Sequence, residues 1–151
     1  MTDKRVAYEE SIRIPLIVRY PAWFGSGSVS NALAPNLDIA PSLLDAAHVR
    51  GGYGMEGVTL RELASGDAPR RSFLCEYYRE PRFPVTPSIR AVRTRNFKYI
   101  EYIADDVTDE LYDLGADPLE ITNLVEHPEF ARVLAELRAE LARLRRATGD
   151  I

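Results

Sequence analysis

A short aliphatic segment near the start of the sequence restricts the fold more than any other feature. From Ile14 to Val18 every residue except Pro15 is a branched aliphatic, and Pro21 follows soon after. Such a run is typical of a strand that is buried on both faces of a sheet. A buried strand needs neighbouring strands, and few residues precede this one. We therefore predict a strand at 14–19 that belongs to a larger α/β domain.

Two helices are predicted after this strand. Asp38 is the expected N-cap of the first helix, whose aliphatic face should pack on the strand. Thr59 begins a sequence of capping-box form, and the second helix should end near Gly66. The polar segment 66–71 has the composition of a linker. We therefore assign residues 1–68 to the end of an α/β domain.

After the linker the hydrophobic period changes from helical to two. Alternating apolar residues predict four strands, at 73–78, 88–93, 97–103 and 110–114. Short connections between consecutive strands favour antiparallel pairing. The second predicted domain, at 69–151, is thus a small α+β unit.

The last predicted element is a helix that opens at His127–Pro128. Its apolar residues repeat at spacings of four and three, at Phe130, Leu134, Leu137, Leu141 and Leu144. A leucine stripe of this kind can form a coiled coil, but covering one face of the adjacent sheet is the better interpretation. The predicted second unit is therefore an antiparallel sheet covered by a C-terminal helix.

A proline-rich loop connects the first two predicted strands of this sheet. Residues 79–87 contain three prolines, which fix φ and reduce the entropy lost when a loop becomes ordered. The loop can therefore hold a defined shape without regular secondary structure. Two interpretations stay open, a substrate-facing loop and a stiff connection.

Composition excludes several classes of function. The 151 residues are 46% hydrophobic and 28% charged, as in ordinary globular proteins. The net charge of -4 argues against a nucleic-acid partner, and no segment has the pattern of a membrane span. The single cysteine, Cys75, cannot form an internal disulfide and is predicted to be a small buried hydrophobic residue.

Five segments carry motifs that point to one family. They are K-R-V-A-Y-E-E-S-I-R-I-P-L-I-V-R-Y-P at 4–21, N-L-D-I-A-P-S-L-L-D at 36–45, G-V-T-L at 57–60, V-R-T with K-Y-I within 92–100, and E-L-Y-D-L with D-P and N-L within 110–124. In this order they resemble the C-terminal portion of the sulfatases. These are formylglycine-dependent sulfate-ester hydrolases with an alkaline-phosphatase-like fold. The resemblance implies that residues 1–68 are the end of that α/β domain.

The resemblance also implies which parts of the reaction lie elsewhere. An intact sulfatase uses a hydrated formylglycine as nucleophile and a divalent cation such as calcium. In the family these groups belong to segments that precede the ones matched by this sequence. The sequence contains neither C-x-P-S-R nor C-x-A-x-R, the motifs that the modified residue requires. We therefore predict no metal ligand and no cofactor in this chain, and no activity of the chain alone.

Two residues are predicted to contact substrate. Lys4 matches the position of the family lysine that contacts the substrate sulfate, and an ammonium group can offset charge as the ester bond breaks. Near a chain end, the alternative for Lys4 is a solvated surface charge. Arg90 is the predicted substrate-binding residue of the second unit, with Arg82 and Arg93 as alternatives for an anionic ligand.

Three functions fit these observations. The first is the C-terminal part of a sulfatase that acts on a sulfated small molecule or glycan. The second is a non-catalytic module that binds a sulfated or otherwise anionic ligand, and the third is one chain of a split sulfatase. The expected protein partner is a second copy of the chain or a missing N-terminal half. We adopt the first function as the prediction.

Overall fold

Helices are spread along the described part of the chain, whereas its strands all lie from Ser72 onward. The computed structural model describes residues 4–49, 54–67, 69–104 and 106–150. The helices are α1 (Glu9–Ile12), α2 (Ile39–Ala46), α3 (Leu60–Ser65) and α4 (Ala131–Thr148). The strands are β1 (Ser72–Tyr77), β2 (Ser88–Thr94), β3 (Phe97–Ile103) and β4 (Glu110–Asp113). Short 3-10 helices precede α2 and α4, at Asn36–Asp38 and Pro128–Phe130.

The strands form one antiparallel sheet in the order β1-β2-β3-β4. Each strand therefore pairs with its neighbour in sequence, as the short connections predict. In the register, Val92 lies opposite Tyr99, and Tyr99 lies opposite Leu111. Side chains alternate between the two faces of a sheet, so these three residues share one face. The predicted strands and their antiparallel pairing are confirmed.

Helix α4 covers this first face. Leu134, Leu137 and Leu141 are buried against Val92, Tyr99 and Leu111 in one core cluster. The helix ends before Gly149, whose φ of 79° is the left-handed conformation that favours glycine at a helix end. The predicted use of the leucine stripe, to cover the sheet, is confirmed.

The opposite face is covered by the N-terminal segment, residues 4–15, which includes the short helix α1. Ala7 is buried there together with Ile89, Ala91, Ile100 and Tyr112. Cys75, which has the same phase along β1, is partly buried against this cluster. The sheet is therefore enclosed between α4 on one side and residues from the start of the chain on the other.

The chain divides into two compact units. The sheet unit comprises residues 4–15 and 72–150, and the helical unit is Leu16–Arg71. The division near residue 71 lies close to the predicted linker. Residues 4–15, however, pack with the sheet, although they were assigned by chain order to the domain at 1–68. Burying the second apolar face of the sheet removes apolar surface from water, which is favourable. Residues 4–15 therefore pack on the sheet although they precede the helical unit in the chain.

Two expectations about the helical unit fail in whole or in part. Asp38 occupies the N-cap position of α2 as predicted, but its side chain makes no capping hydrogen bond. Its buried carboxylate instead accepts hydrogen bonds from the Val58 amide, at 3.0 Å, and from the Arg70 guanidinium. An ionised partner forms the stronger bond and competes successfully with the helix end. The aliphatic face of α2 does not pack on a strand either, since Ile39 and Leu43 are exposed. The capping box at Thr59 is confirmed.

The predicted strand at 14–19 is also wrong. Residues 14–19 have no regular secondary structure, since none of the described residues pairs with them as a neighbouring strand. A lone strand leaves its backbone hydrogen bonds unmade and is not stable by itself. Without such neighbours the aliphatic side chains of this segment are exposed: Ile14 is 69% exposed and Ile17 is 94% exposed.

Candidate functional site

The segment that carries Lys4 is held on the sheet by a buried group of charges. Lys98 lies on β3 in phase with Ile100, and its side chain is fully buried. Its ammonium contacts Glu9 Oε1 at 3.2 Å and also pairs with Glu120 Oε1. The Glu9 amide donates to Glu120 Oε2 at 2.5 Å. A buried ammonium is stable only when it is paired, and here two carboxylates from distant parts of the chain supply the pairing.

Arg93 completes this charge cluster, which we define as Glu9, Arg93, Lys98 and Glu120. Its Nη2 donates to Glu9 Oε2 at 3.0 Å. The Glu9 carboxylate therefore forms ion pairs with both the Arg93 guanidinium and the Lys98 ammonium. Burial opposes ionisation of Glu9, but the hydrogen bond from Arg93 and the charge of Lys98 outweigh it and lower the pKa of Glu9. Two cations and two carboxylates thus balance one another on this face of the sheet.

Tyr8 adds a second attachment beside the charge cluster. Its hydroxyl donates to Glu110 Oε1 at 3.0 Å, and its ring meets Tyr112 edge to face with centroids 6.1 Å apart. Burial, the hydrogen bond to Glu110 and its charge raise the pKa of Tyr8, so the hydroxyl stays protonated and able to donate. Residues 7, 8 and 9 each bind the sheet through a different kind of contact.

Arg5 joins the same segment to the proline-rich loop. Its guanidinium carbon lies 3.3 Å from the ring centroid of Phe83, and its Nε lies 3.4 Å from Glu80 Oε1. Stacking on an aromatic ring suits the flat guanidinium. The loop at 79–87 therefore lies against the segment that carries Lys4, the placement that a substrate-facing loop needs. Arg79 and Arg82 of this loop are exposed.

Lys4 itself is exposed, and its ammonium donates to the carbonyl oxygen of Glu10. The hydrogen bond folds the lysine back onto α1. Because α1 begins at Glu9, the charge cluster and Lys4 are connected through a single helical turn. The candidate functional site is thus the surface formed by Lys4, Arg5 and the loop at 79–87.

Arg90 lies on the other face of the sheet, in phase with Val92 and on the side of α4. It donates to Asp150 through Nε at 2.5 Å and Nη2 at 2.8 Å, and it stacks on Tyr78 at 4.3 Å. The hydrogen bond from Arg90 holds the pKa of Asp150 at about 2. The structure therefore does not bring Arg90 together with Lys4, and a sulfate at Arg90 has to displace Asp150.

The described residues offer no candidate metal site. They contain no group of three or more His, Cys, Asp or Glu side chains that could hold a metal ion. Burial raises the pKa of the Cys75 thiol, which keeps it protonated and unreactive as a nucleophile. Of the described helices, none is long and apolar enough to cross a membrane.

Sequence reasoning missed Arg5, Glu9, Lys98 and Glu120. One signal was available, because the period of two in β3 puts Lys98 on the apolar face with Ile100. A lysine at such a position needs a buried acidic partner. Nothing in the sequence identifies that partner as Glu9 or Glu120. Glu9 lies far from Lys98 along the chain, and Glu120 lies in a loop of irregular backbone.

The fold and the site define a class of protein. A four-stranded antiparallel sheet, a C-terminal helix on one face and a lysine-bearing segment on the other form the C-terminal unit of an alkaline-phosphatase-like sulfatase. The family described as N-sulphoglucosamine sulphohydrolase, C-terminal, matches residues 1–147. The chain belongs to this family, as the sequence motifs predicted.

Individual relatives agree with this assignment. The chain is 36% identical to the N-acetylglucosamine-6-O-sulfatase of Bacteroides thetaiotaomicron over 140 residues, which cover 89% of this chain and 25% of the relative. It is 30% identical to human N-acetylglucosamine-6-sulfatase over 185 residues, covering 97% of this chain and 32% of the human protein. The chain thus spans a quarter to a third of the length of these relatives.

A solved structure supports the fold directly. The chain is similar to an enzyme solved in complex with its substrate, D-glucosamine-2-N,6-O-disulfate, with a TM-score of 0.89 and 34% identity. The match covers 98% of this chain and 31% of that one. The mixed α/β fold class is therefore confirmed.

Proposed function

We propose that this chain is the C-terminal part of a sulfuric-ester hydrolase that acts on a sulfated small molecule or glycan. The observation that carries the proposal is the attachment of the Lys4 segment to the sheet, with Arg5 stacked on Phe83 of the proline-rich loop. This arrangement puts a flexible cation beside an ordered loop. Such a pair can contact the sulfate through Lys4 and the rest of the substrate through the loop.

Lys4 supplies one part of the chemistry. Its ammonium, released from the Glu10 carbonyl, can follow a sulfate oxygen and stabilise the charge that develops as the ester bond breaks. Relatives in the sulfatase family imply a formylglycine nucleophile and a catalytic metal in the intact enzyme, and we propose calcium for the metal. The described residues do not fit a metal, so no step is assigned to one in this chain.

The relatives suggest which substrates to test first. Two of them are named N-acetylglucosamine-6-O-sulfatase and N-acetylglucosamine-6-sulfatase, and the similar structure was solved with D-glucosamine-2-N,6-O-disulfate. We propose a sulfated amino sugar as the substrate of the intact enzyme. The proposed protein partner is the N-terminal part that carries the nucleophile, on the same or on a separate chain.

A chimeric enzyme tests this function. The chain should replace the C-terminal quarter of the Bacteroides thetaiotaomicron N-acetylglucosamine-6-O-sulfatase, and hydrolysis of N-acetylglucosamine 6-sulfate is measured. We expect activity from the chimera, none from the isolated chain, and a loss in kcat of about 10²-fold or more for Lys4→Ala. Arg132→Ala removes an exposed cation of α4 and serves as the matched control. A folded but inactive chimera contradicts the proposal.

The same chimera tests Arg90, which stays a predicted substrate residue. If Arg90 only binds Asp150, then Arg90→Met and Asp150→Asn should destabilise the protein alike and leave KM unchanged. A rise in KM with Arg90→Met alone supports the predicted contact with substrate. Equal KM values for both variants and the parent contradict it.

A further inference from the structure

Glu120 has a backbone conformation that its surroundings must enforce. Its φ is 56°, in the left-handed region, and its side chain is buried. A residue other than glycine keeps this conformation only when several contacts determine it together. Glu120 has three of them: its amide donates to the Asp117 carbonyl at 3.2 Å, one carboxylate oxygen pairs with Lys98, and the other accepts from the Glu9 amide. The carboxylate therefore connects a buried cation to the backbone of the N-terminal segment.

Lys98 gives this connection a rigid base. It lies in β3, which pairs with β2 on one side and with β4 on the other. Its ammonium contacts the Glu9 side chain directly. It also pairs with Glu120, which accepts from the Glu9 amide, so the same cation holds the backbone of Glu9 indirectly. Groups held by packed elements of regular structure keep their positions better than groups on loops.

We propose that Lys98 and Glu120 are positioning residues that fix the place of Lys4. The order of contacts is Lys98 and Glu120 to Glu9, and then the turn of α1 from Glu9 to Glu10. The Glu10 carbonyl holds the Lys4 ammonium at this turn until the ammonium is released to the sulfate. This inference rests on the proposed function for its consequence in catalysis. Its structural part, that the charge cluster fixes the segment locally, is independent of any activity.

Hydrogen exchange on the isolated chain tests the structural part. The amides of Ser11 and Ile12 donate to the Tyr8 carbonyl, and the amide of Arg13 donates to the Glu9 carbonyl. Their exchange rates therefore report whether the turn of α1 is held. In Glu120→Ala we expect their exchange to accelerate by at least about tenfold, while core sheet amides keep their rates. Asp150→Asn is the matched control, because it breaks an ion pair on the opposite face of the same sheet.

A double substitution distinguishes a local effect from a general loss of folding in Glu120→Ala. Lys98→Met with Glu120→Met replaces the buried pair by apolar side chains, an exchange that proteins often tolerate. It should fold and show the same local acceleration at Ser11, Ile12 and Arg13. Unchanged exchange in this variant, or acceleration spread evenly over the sheet, overturns the proposal, because the cluster then does not act locally on the segment.

Kinetics of the chimera described above test the catalytic part. Glu120→Ala should lower kcat about tenfold to a hundredfold with little change in KM, since small displacements of a catalytic group are costly. The decisive measurement is the double variant with Lys4→Ala. If Glu120 acts through Lys4, its replacement should cost nothing further once Lys4 is gone. Additive losses overturn the positioning role, whereas an inactive parent chimera counts against the proposed function alone.

Discussion

Lys98 shows how a single buried cation can organise contacts between distant residues. Its side chain is 0% exposed, and it lies on the face of the sheet that carries the apolar cluster of Ala91, Ile100 and Tyr112. The cost of removing an ammonium from water is offset only by carboxylates at close range. Glu9 and Glu120 meet this need, and both are drawn onto the sheet as a result. The ion pair thus determines where the N-terminal segment lies.

Acid should loosen this attachment. The pKa of Glu9 in the folded chain is below its ordinary value of 4.5, because its contacts with Arg93 and Lys98 outweigh burial. The folded state therefore holds the Glu9 proton less tightly than the unfolded state does. The stabilisation is complete above the ordinary pKa and is lost as the pH falls through the lower, folded value.

Denaturant unfolding of the parent and of Glu9→Gln measures this effect. Between about pH 6 and about pH 3, the parent should lose more unfolding free energy than the variant, which has no carboxylate to protonate at this position. Glu120 keeps its place in both proteins, and other acidic groups contribute equally to both. Parallel pH profiles would show that Glu9 contributes no pH-dependent stability.

The elements of the sheet unit fold around two different kinds of contact. On one face α4 contributes leucines, which bury apolar area without any polar partner. On the other face the N-terminal segment contributes Ala7 and the ring of Tyr8, and otherwise binds through hydrogen bonds and charges. We expect the first face to carry most of the stability and the second to fix the geometry of the site.

Replacing leucines of α4 measures the first contribution. Leu137→Ala or Leu141→Ala should each lower the unfolding free energy by about 2–5 kcal/mol, since each leaves a cavity in the core. Glu136 lies on the exposed side of the same helix, paired with Arg132, and Glu136→Ala should change it by less than about 0.5 kcal/mol. Similar denaturation midpoints for all three variants would contradict the packing of α4.

Elements with a complete local pattern were predictable from the sequence. Alternation defined β1 to β4, the leucine stripe defined α4, and Thr59 with Glu62 defined the start of α3. The segment at 14–19 was predicted wrongly because its aliphatic pattern requires neighbouring strands, which no described residue provides.

The charge cluster was not predictable, because its pairs join residues up to 111 positions apart and no local pattern encodes such a pairing. Lys4 and the loop were predicted separately, and the Arg5–Phe83 contact that joins them was not.

At the scale of the whole chain, the aliphatic segment at 14–18 is exposed to solvent and needs a partner surface to cover it. Ile14, Leu16, Ile17 and Val18 are all exposed large hydrophobic residues. Contiguous exposed apolar residues mark surfaces that bind a partner. In the intact enzyme we propose that the N-terminal part covers this segment. In the isolated chain a second copy is the available partner.

We therefore expect the isolated chain to form a dimer through residues 14–19, whose backbone can pair with an extended segment of another copy. The variant Ile14→Asp with Ile17→Asp puts charges in this segment and should be monomeric. Val85→Asp with Ile121→Asp is the matched control, because Val85 is 93% and Ile121 is 78% exposed elsewhere in the chain. Light scattering at equal concentrations measures all three masses. A monomeric parent, or a control that dissociates as completely as the 14–19 variant, would show that this segment is not the interface.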